Sequence, residues 1–85
     1  MKTLEQILNY EKEHRVEKGD FGINACKESI REEIARHEKW NLQNQTNKWN
    51  TSLYVLLEEY VRKSNESIFF NSRMVLACWE LINEQ

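Results

Sequence analysis

From Ile23 to Gln85 the chain contains neither glycine nor proline, and its only two glycines are Gly19 and Gly22. Sheets rely on those residues for tight turns, and the stretch shows no sustained period-two alternation. What recurs instead is apolar spacing of three and four residues. The sequence therefore predicts an all-α fold: three or four antiparallel helices in one small bundle spanning residues 1–85, with turns built from Asn, Ser and Thr.

Four segments carry the helical period. The first, about 4–18, opens on Thr3 as N-cap, with Gln6 three residues on to close a capping box. Its apolar face is Leu4, Ile7 and Leu8, and Gly19 is placed to end it in the left-handed conformation. The second, about 24–41, carries a narrow stripe of Ile23, Cys26, Ile30, Ile34 and His37 that turns polar at Asn41. Asn41, Asn44, Asn47 and Asn50 then recur at every third position, so a turn is expected there, with Thr46 or Asn47 capping the next helix. One continuous helix from Asn24 to Lys63 is the alternative. Phase argues against it, because the stripe would rotate by about 80° between Asn41 and Trp49.

The third segment, about 47–63, puts Trp49, Leu53, Leu56, Leu57, Tyr60 and Ser64 on one face. The fourth, about 67–83, differs in kind. One stripe reads Ile68, Val75, Cys78, Trp79, Ile82 and a second reads Phe70, Met74, Ala77, Leu81. A helix apolar nearly all round should be buried nearly all round, so the last helix is expected at the centre of the bundle or at a dimer interface.

Composition narrows the function. Charged residues make up 31% of the chain with a net charge of −2, so neither a polybasic nucleic-acid or membrane binder nor a polyanionic mimic is indicated. No basic stripe forms on the second helix, which argues against nucleic acid as partner. The longest apolar runs, Leu53–Leu57 and Met74–Trp79, fall well short of the ~18 residues of a membrane span. Met1-Lys2-Thr3-Leu4-Glu5-Gln6 has no apolar leader pattern, so a cytosolic protein is expected, with Cys26 and Cys78 reduced and buried.

Chemistry-bearing motifs fail at essential positions. His37-Glu38-Lys39-Trp40-Asn41 approaches the zinc motif H-E-x-x-H, but an asparagine stands at the second histidine. Glu11 to His14 matches half of a di-iron carboxylate site and has no second copy. Cys26 and His37 share a stripe but lie ~16 Å apart along a helix. Glu33 and His37 could pair, yet no nucleophile sits beside them in the sequence pattern. No metal, cofactor or catalytic residue is expected, and the chain reads as a non-enzyme.

That leaves the excess of apolar surface. The second stripe of the last helix, Phe70, Met74, Ala77 and Leu81, is either an inner face of this chain's own bundle or the candidate interface, with another protein or with a second copy in a homodimer. Trp40, off the isoleucine stripe and beside the Asn-rich turn, is the other candidate contact, the alternative being a lid on the core. The expected function is a small binding protein of regulator, inhibitor or immunity type. The Asn- and Lys-rich, proline-free composition is of a kind that AT-rich bacterial and phage genes encode. The alternatives are a nucleic-acid-associated helical protein, or a helical oligomer with a ligand site between subunits.

Overall fold

The computed structural model describes residues 1–85 and is all-helical. Its elements are α1 (Leu4–Glu13), α2 (Ile23–Gln43), α3 (Leu53–Glu66) and α4 (Arg73–Asn83), with no strand. Helix α4 is the hub: α1, α2 and α3 each pack on it and touch one another little. The central position expected for the last helix is what the structure has. Val75, Leu76, Ala77 and Cys78 are fully buried, and Leu81 nearly so. They meet Ile7 and Leu8 of α1, Ile23, Cys26 and Ile30 of α2, and Leu56, Leu57 and Tyr60 of α3 in one core.

The helix boundaries differ from the sequence reading at four places. Helix α1 starts as expected, with the Thr3 hydroxyl accepting from Gln6 N–H at 3.2 Å and the Gln6 side chain accepting from Thr3 N–H at 2.9 Å. It ends at Glu13 rather than Lys18. His14 turns its ring onto the Tyr10 carbonyl at 2.9 Å, and Arg15 leaves the helix to pair with Glu80 of α4 and with Glu17. Tertiary ion pairing thus overrides the local propensity for one more turn. Gly19 does take a positive φ of 89°, but within the loop rather than as the cap of α1.

Helix α2 breaks from α3, and it stops without a glycine. Gln45 adopts the left-handed region at φ 50°. Around it the Thr46 N–H donates to the Asn41 carbonyl at 3.0 Å and the Gln45 N–H to Leu42 at 3.4 Å. These are the two bonds of a Schellman motif, formed with glutamine where glycine is preferred. A left-handed L-residue costs about 1–2 kcal/mol, partly offset by the larger unfolded-state entropy of glycine. Gln45→Gly should therefore stabilise the protein by ~0.5–1 kcal/mol, a rise in Tm of ~2–6 °C by thermal circular dichroism.

Helix α3 begins at Leu53, six residues later than expected, so Trp49 lies outside it and neither Thr46 nor Asn47 is its cap. Helix α4 begins at Arg73, not Ser67. The Ser67 hydroxyl accepts from Phe69 N–H at 3.1 Å and Asn71 Oδ1 accepts from Arg73 N–H at 3.1 Å, which shapes 67–72 as a compact turn.

Polar contacts lock α2 to α4. Lys27, itself nearly buried, reaches Glu84 at 2.7 Å and Glu80 at 3.0 Å. Hydrogen bonds from Arg15 and then Lys27 hold the Glu80 carboxyl down at about 2, against the opposing effect of burial. A carboxyl depressed on folding stabilises the native state fully above its ordinary value of 4.5 and loses that contribution as pH falls towards 2. Allowing for its partial exposure, about 1–2 kcal/mol should disappear between pH 5 and pH 2. Urea midpoints measured across that range should show a step attributable to this group, and Glu80→Gln should remove it.

Candidate functional site

Only the first part of α2 contributes fully buried residues, the last of them Ile30. Its 21 residues extend ~31 Å, so the distal half carries side chains to one end of a molecule 42 Å long. There the chain reverses into α3 and builds an aromatic corner. Asn41 pins the returning strand of chain: its Nδ2 donates to the Trp49 carbonyl at 2.7 Å and its Oδ1 accepts from Trp49 N–H at 3.1 Å. His37 Nδ1 lies 2.7 Å from the Asn50 carbonyl, so that nitrogen carries the proton and donates. Asn50 Oδ1 in turn accepts from Ser52 N–H at 2.9 Å, leading the chain into α3.

These bonds fix the backbone at Trp49 and so place its ring against α2. It stacks on His37 at 5.3 Å and meets Trp40 edge-on at 6.1 Å and 88°. Lys48 Nζ lies 5.8 Å from the centroid of each tryptophan, within cation–π range of both. Trp40 and Trp49 remain 39% and 44% exposed. With Arg36 and His37 they line a shallow cleft of about 170 Å³. The surrounding stretch from Lys39 to Leu57 contains two lysines and no acidic residue, in a chain whose net charge is −2. The corner is a locally basic, aromatic surface rich in amide side chains.

Behind it, Tyr60 O–H donates to Glu33 Oε2 at 3.0 Å and ties α3 to α2, while Glu33 Oε1 and His37 Nε2, 3.8 Å apart, lie beyond hydrogen-bond reach. Burial, followed by the nearby Glu33 charge, pushes the Tyr60 hydroxyl pKa well above its ordinary value, so it stays a neutral donor. Burial also pushes the Cys78 thiol up to about 11 and raises Cys26, so neither is a thiolate nucleophile near neutrality. Nowhere do three His, Cys, Asp or Glu side chains gather around one point that could hold a metal ion. No helix is long and apolar enough to cross a membrane.

The sequence-derived interface residues separate into two groups. Ala77 and Leu81 are buried in the chain's own core, and Phe70 and Met74 are half-buried against it, with the Phe70 ring 5.6 Å from Tyr60. The seam Phe70, Met74, Ala77, Leu81 is therefore not an open surface. Three helices surround α4, so Ala77 and Leu81 follow the inner-face alternative for this stripe, while Phe70 and Met74 keep part of their surface outward. Trp40, by contrast, is exposed as a contact would be. Sequence reasoning missed Trp49 and Lys48, because Trp49 fits the apolar phase of α3 and was assigned to its buried face. The signal for them was the acid-free run around Lys48-Trp49. It also missed Ile68 and Phe69, which lie outside α4 and are 93% and 91% exposed. No family model, curated protein or solved structure matches this chain.

Proposed function

We propose that this protein acts by binding another protein at the α2–α3 corner, with Trp40 and Trp49 as anchors and no chemistry of its own. The observation that carries this reading is the pair of half-exposed tryptophans packed edge to face, with the Trp49 backbone held by Asn41 and its ring stacked on His37. Tryptophan is enriched among the residues that dominate binding energies, and an anchor already fixed in place loses little entropy when it docks. The local excess of Lys39 and Lys48 selects the partner's chemistry: an acidic segment that lays an apolar side chain on the indoles and carboxylates on the lysines. A regulator, an inhibitor or an immunity protein would work in this way.

A single-stranded nucleic acid is the second reading, favoured by the same indoles, on which bases can stack. Against it, Arg36, Lys39 and Lys48 are few, and Glu38 stands among them. The deciding experiment captures the partner on the immobilised wild-type chain and titrates the purified partner against Trp40→Ala and Lys48→Glu variants. Each should weaken binding by on the order of 10- to 100-fold with helicity unchanged. Unaltered affinity in both would refute the corner as the contact. Binding to an oligonucleotide instead, with affinity falling steeply in salt, would establish the second reading.

A further inference from the structure

The turn between α3 and α4 presents Ile68 and Phe69 almost fully to solvent, and it is not slack. Ser67 N–H donates to the Lys63 carbonyl at 3.0 Å, Phe69 N–H to the Ser67 hydroxyl at 3.1 Å, and Phe70 is anchored beside Tyr60. Two large apolar side chains held outward on a braced turn form a preorganised knob. Beside it lies a groove of about 570 Å³, with Met1, Tyr10 and the edge of the core residue Ile7 as its apolar part, Lys2 over the Tyr10 ring, and Asn65 and Ser72 as its rim. Asn65 and Ser72 bracket the knob in the sequence, so the turn that carries the knob forms one edge of the groove. Asn65 Oδ1 accepts from Lys2 N–H at 2.7 Å and its Nδ2 donates to the Lys2 carbonyl at 2.9 Å, which fixes the start of α1 against the end of α3. Ser72 O–H donates to the buried Glu11 carboxylate at 2.8 Å, which closes the floor.

We propose that a second copy of this chain covers this face, each copy seating Phe69 in the α1 groove of the other. A knob adjacent to a hole on the same surface is self-complementary under a two-fold axis: one rotation satisfies both contacts at once. Charge agrees. The ions in the last turns of α3, leading into the knob, are already paired within the chain, Arg62 with Glu66 at 2.8 Å and Lys63 with Glu59 at 3.2 Å. Two copies of this face do not repel, whereas two copies of the basic tryptophan corner would. The area also suffices. Phe69, Ile68 and the half-exposed Tyr10 together offer on the order of 500 Å² per copy, so a pair buries on the order of 1,000 Å², the lower bound for a specific interface. This surface is separate from the tryptophan corner, and its occupancy does not depend on what binds there.

Sedimentation equilibrium of the wild-type chain tests the proposal. The species at tens of micromolar should have twice the chain mass of 10.3 kDa. Phe69→Glu should weaken the dimer by on the order of 100-fold while far-UV circular dichroism stays unchanged, since the side chain has no core to disturb. Trp40→Ala should leave the dimer intact, which separates this interface from the partner-binding reading. Mixing Phe69→Cys and Gln6→Cys chains under mild oxidation should give the mixed disulfide between copies, Gln6 being at the groove. A wild-type monomer at hundreds of micromolar would overturn the proposal. So would a Phe69→Glu chain that dimerises as well as wild type, or a Phe69→Cys chain that cross-links only to itself.

Discussion

Leu81→Glu should remove a third or more of the protein's stability, while Met74→Glu should cost far less. Leu81 lies in the core formed where α4 is enclosed by the other helices. The one cation lining the cleft beside it, Arg31, already faces Glu28 and Glu84 at 3.7 Å each, so a carboxylate placed there must either remain charged in a poorly solvated site or take up a proton. Either outcome, together with the lost leucine packing, costs on the order of 4–5 kcal/mol. A domain of this length is held by roughly 4–13 kcal/mol in all. Met74 is only half-buried at the margin of the same core. A glutamate there can turn its head to water, and the expected cost is about 1–2 kcal/mol. Urea denaturation followed by circular dichroism distinguishes the two. If Leu81→Glu kept the wild-type urea midpoint but could not assemble, the stripe would be an interface after all and the packing around α4 would be wrong.

The contrast between those two positions shows what the sequence could and could not convey. Periodicity located the four helices because three- and four-residue spacing is a local property of each segment. The all-round apolarity of Val75 to Ile82 identified the centre, because only enclosure on several sides can satisfy such a helix. It could not say whose helices do the enclosing. Internal packing of α1, α2 and α3 and packing by a second copy produce the same pattern along α4. The ends of helices were less legible. Gln45 in the left-handed region has no signature in a single sequence, since the Schellman bonds depend on the whole turn. The exit of α1 is set by Arg15 meeting Glu80, a partner far along the chain.

The candidate site was half visible for the same reason. Trp40 stood out as an aromatic residue off the apolar stripe. Trp49 did not, because its phase fits the face of Leu53 and Leu56. Only the side-chain bonds of Asn41 and His37 reveal that it is held outside α3. Ile68 and Phe69 likewise continue the apolar phase of α4 backwards, yet the Ser67 and Asn71 side chains divert that backbone into a turn. In both cases a short polar side chain competed successfully with the helix for backbone groups, which apolar periodicity alone does not register.

Gly22→Ala should be the most disruptive conservative change in the molecule outside the core. Gly22 has an ordinary φ of −69° at the N-cap of α2, so an alanine there meets no conformational penalty. The obstacle is space. A Cβ would sit 2.7 Å from the Glu17 carbonyl carbon, 2.8 Å from its oxygen and 2.8 Å from Lys18 N. All three are backbone atoms, so no side-chain rotation relieves the overlap. Nor can the loop simply retreat. The Ile23 N–H donates to Val16 at 2.7 Å and the Gly22 N–H to Gly19 at 3.0 Å, and both bonds must stretch if residues 17 and 18 move away. The expected loss is ~2–4 kcal/mol, the sum of overpacking and weakened loop bonds. Gly19 is the internal comparison. It has open space where a Cβ would go and a φ of +89°, so Gly19→Ala should cost only the conformational strain of about 1–2 kcal/mol. The two alanine variants, measured by urea unfolding under one set of conditions, should therefore rank with Gly22 the worse. The reverse order would mean that the 14–22 loop does not press against the start of α2, and the Arg15–Glu80 tether that holds that loop on α4 would lose its rationale.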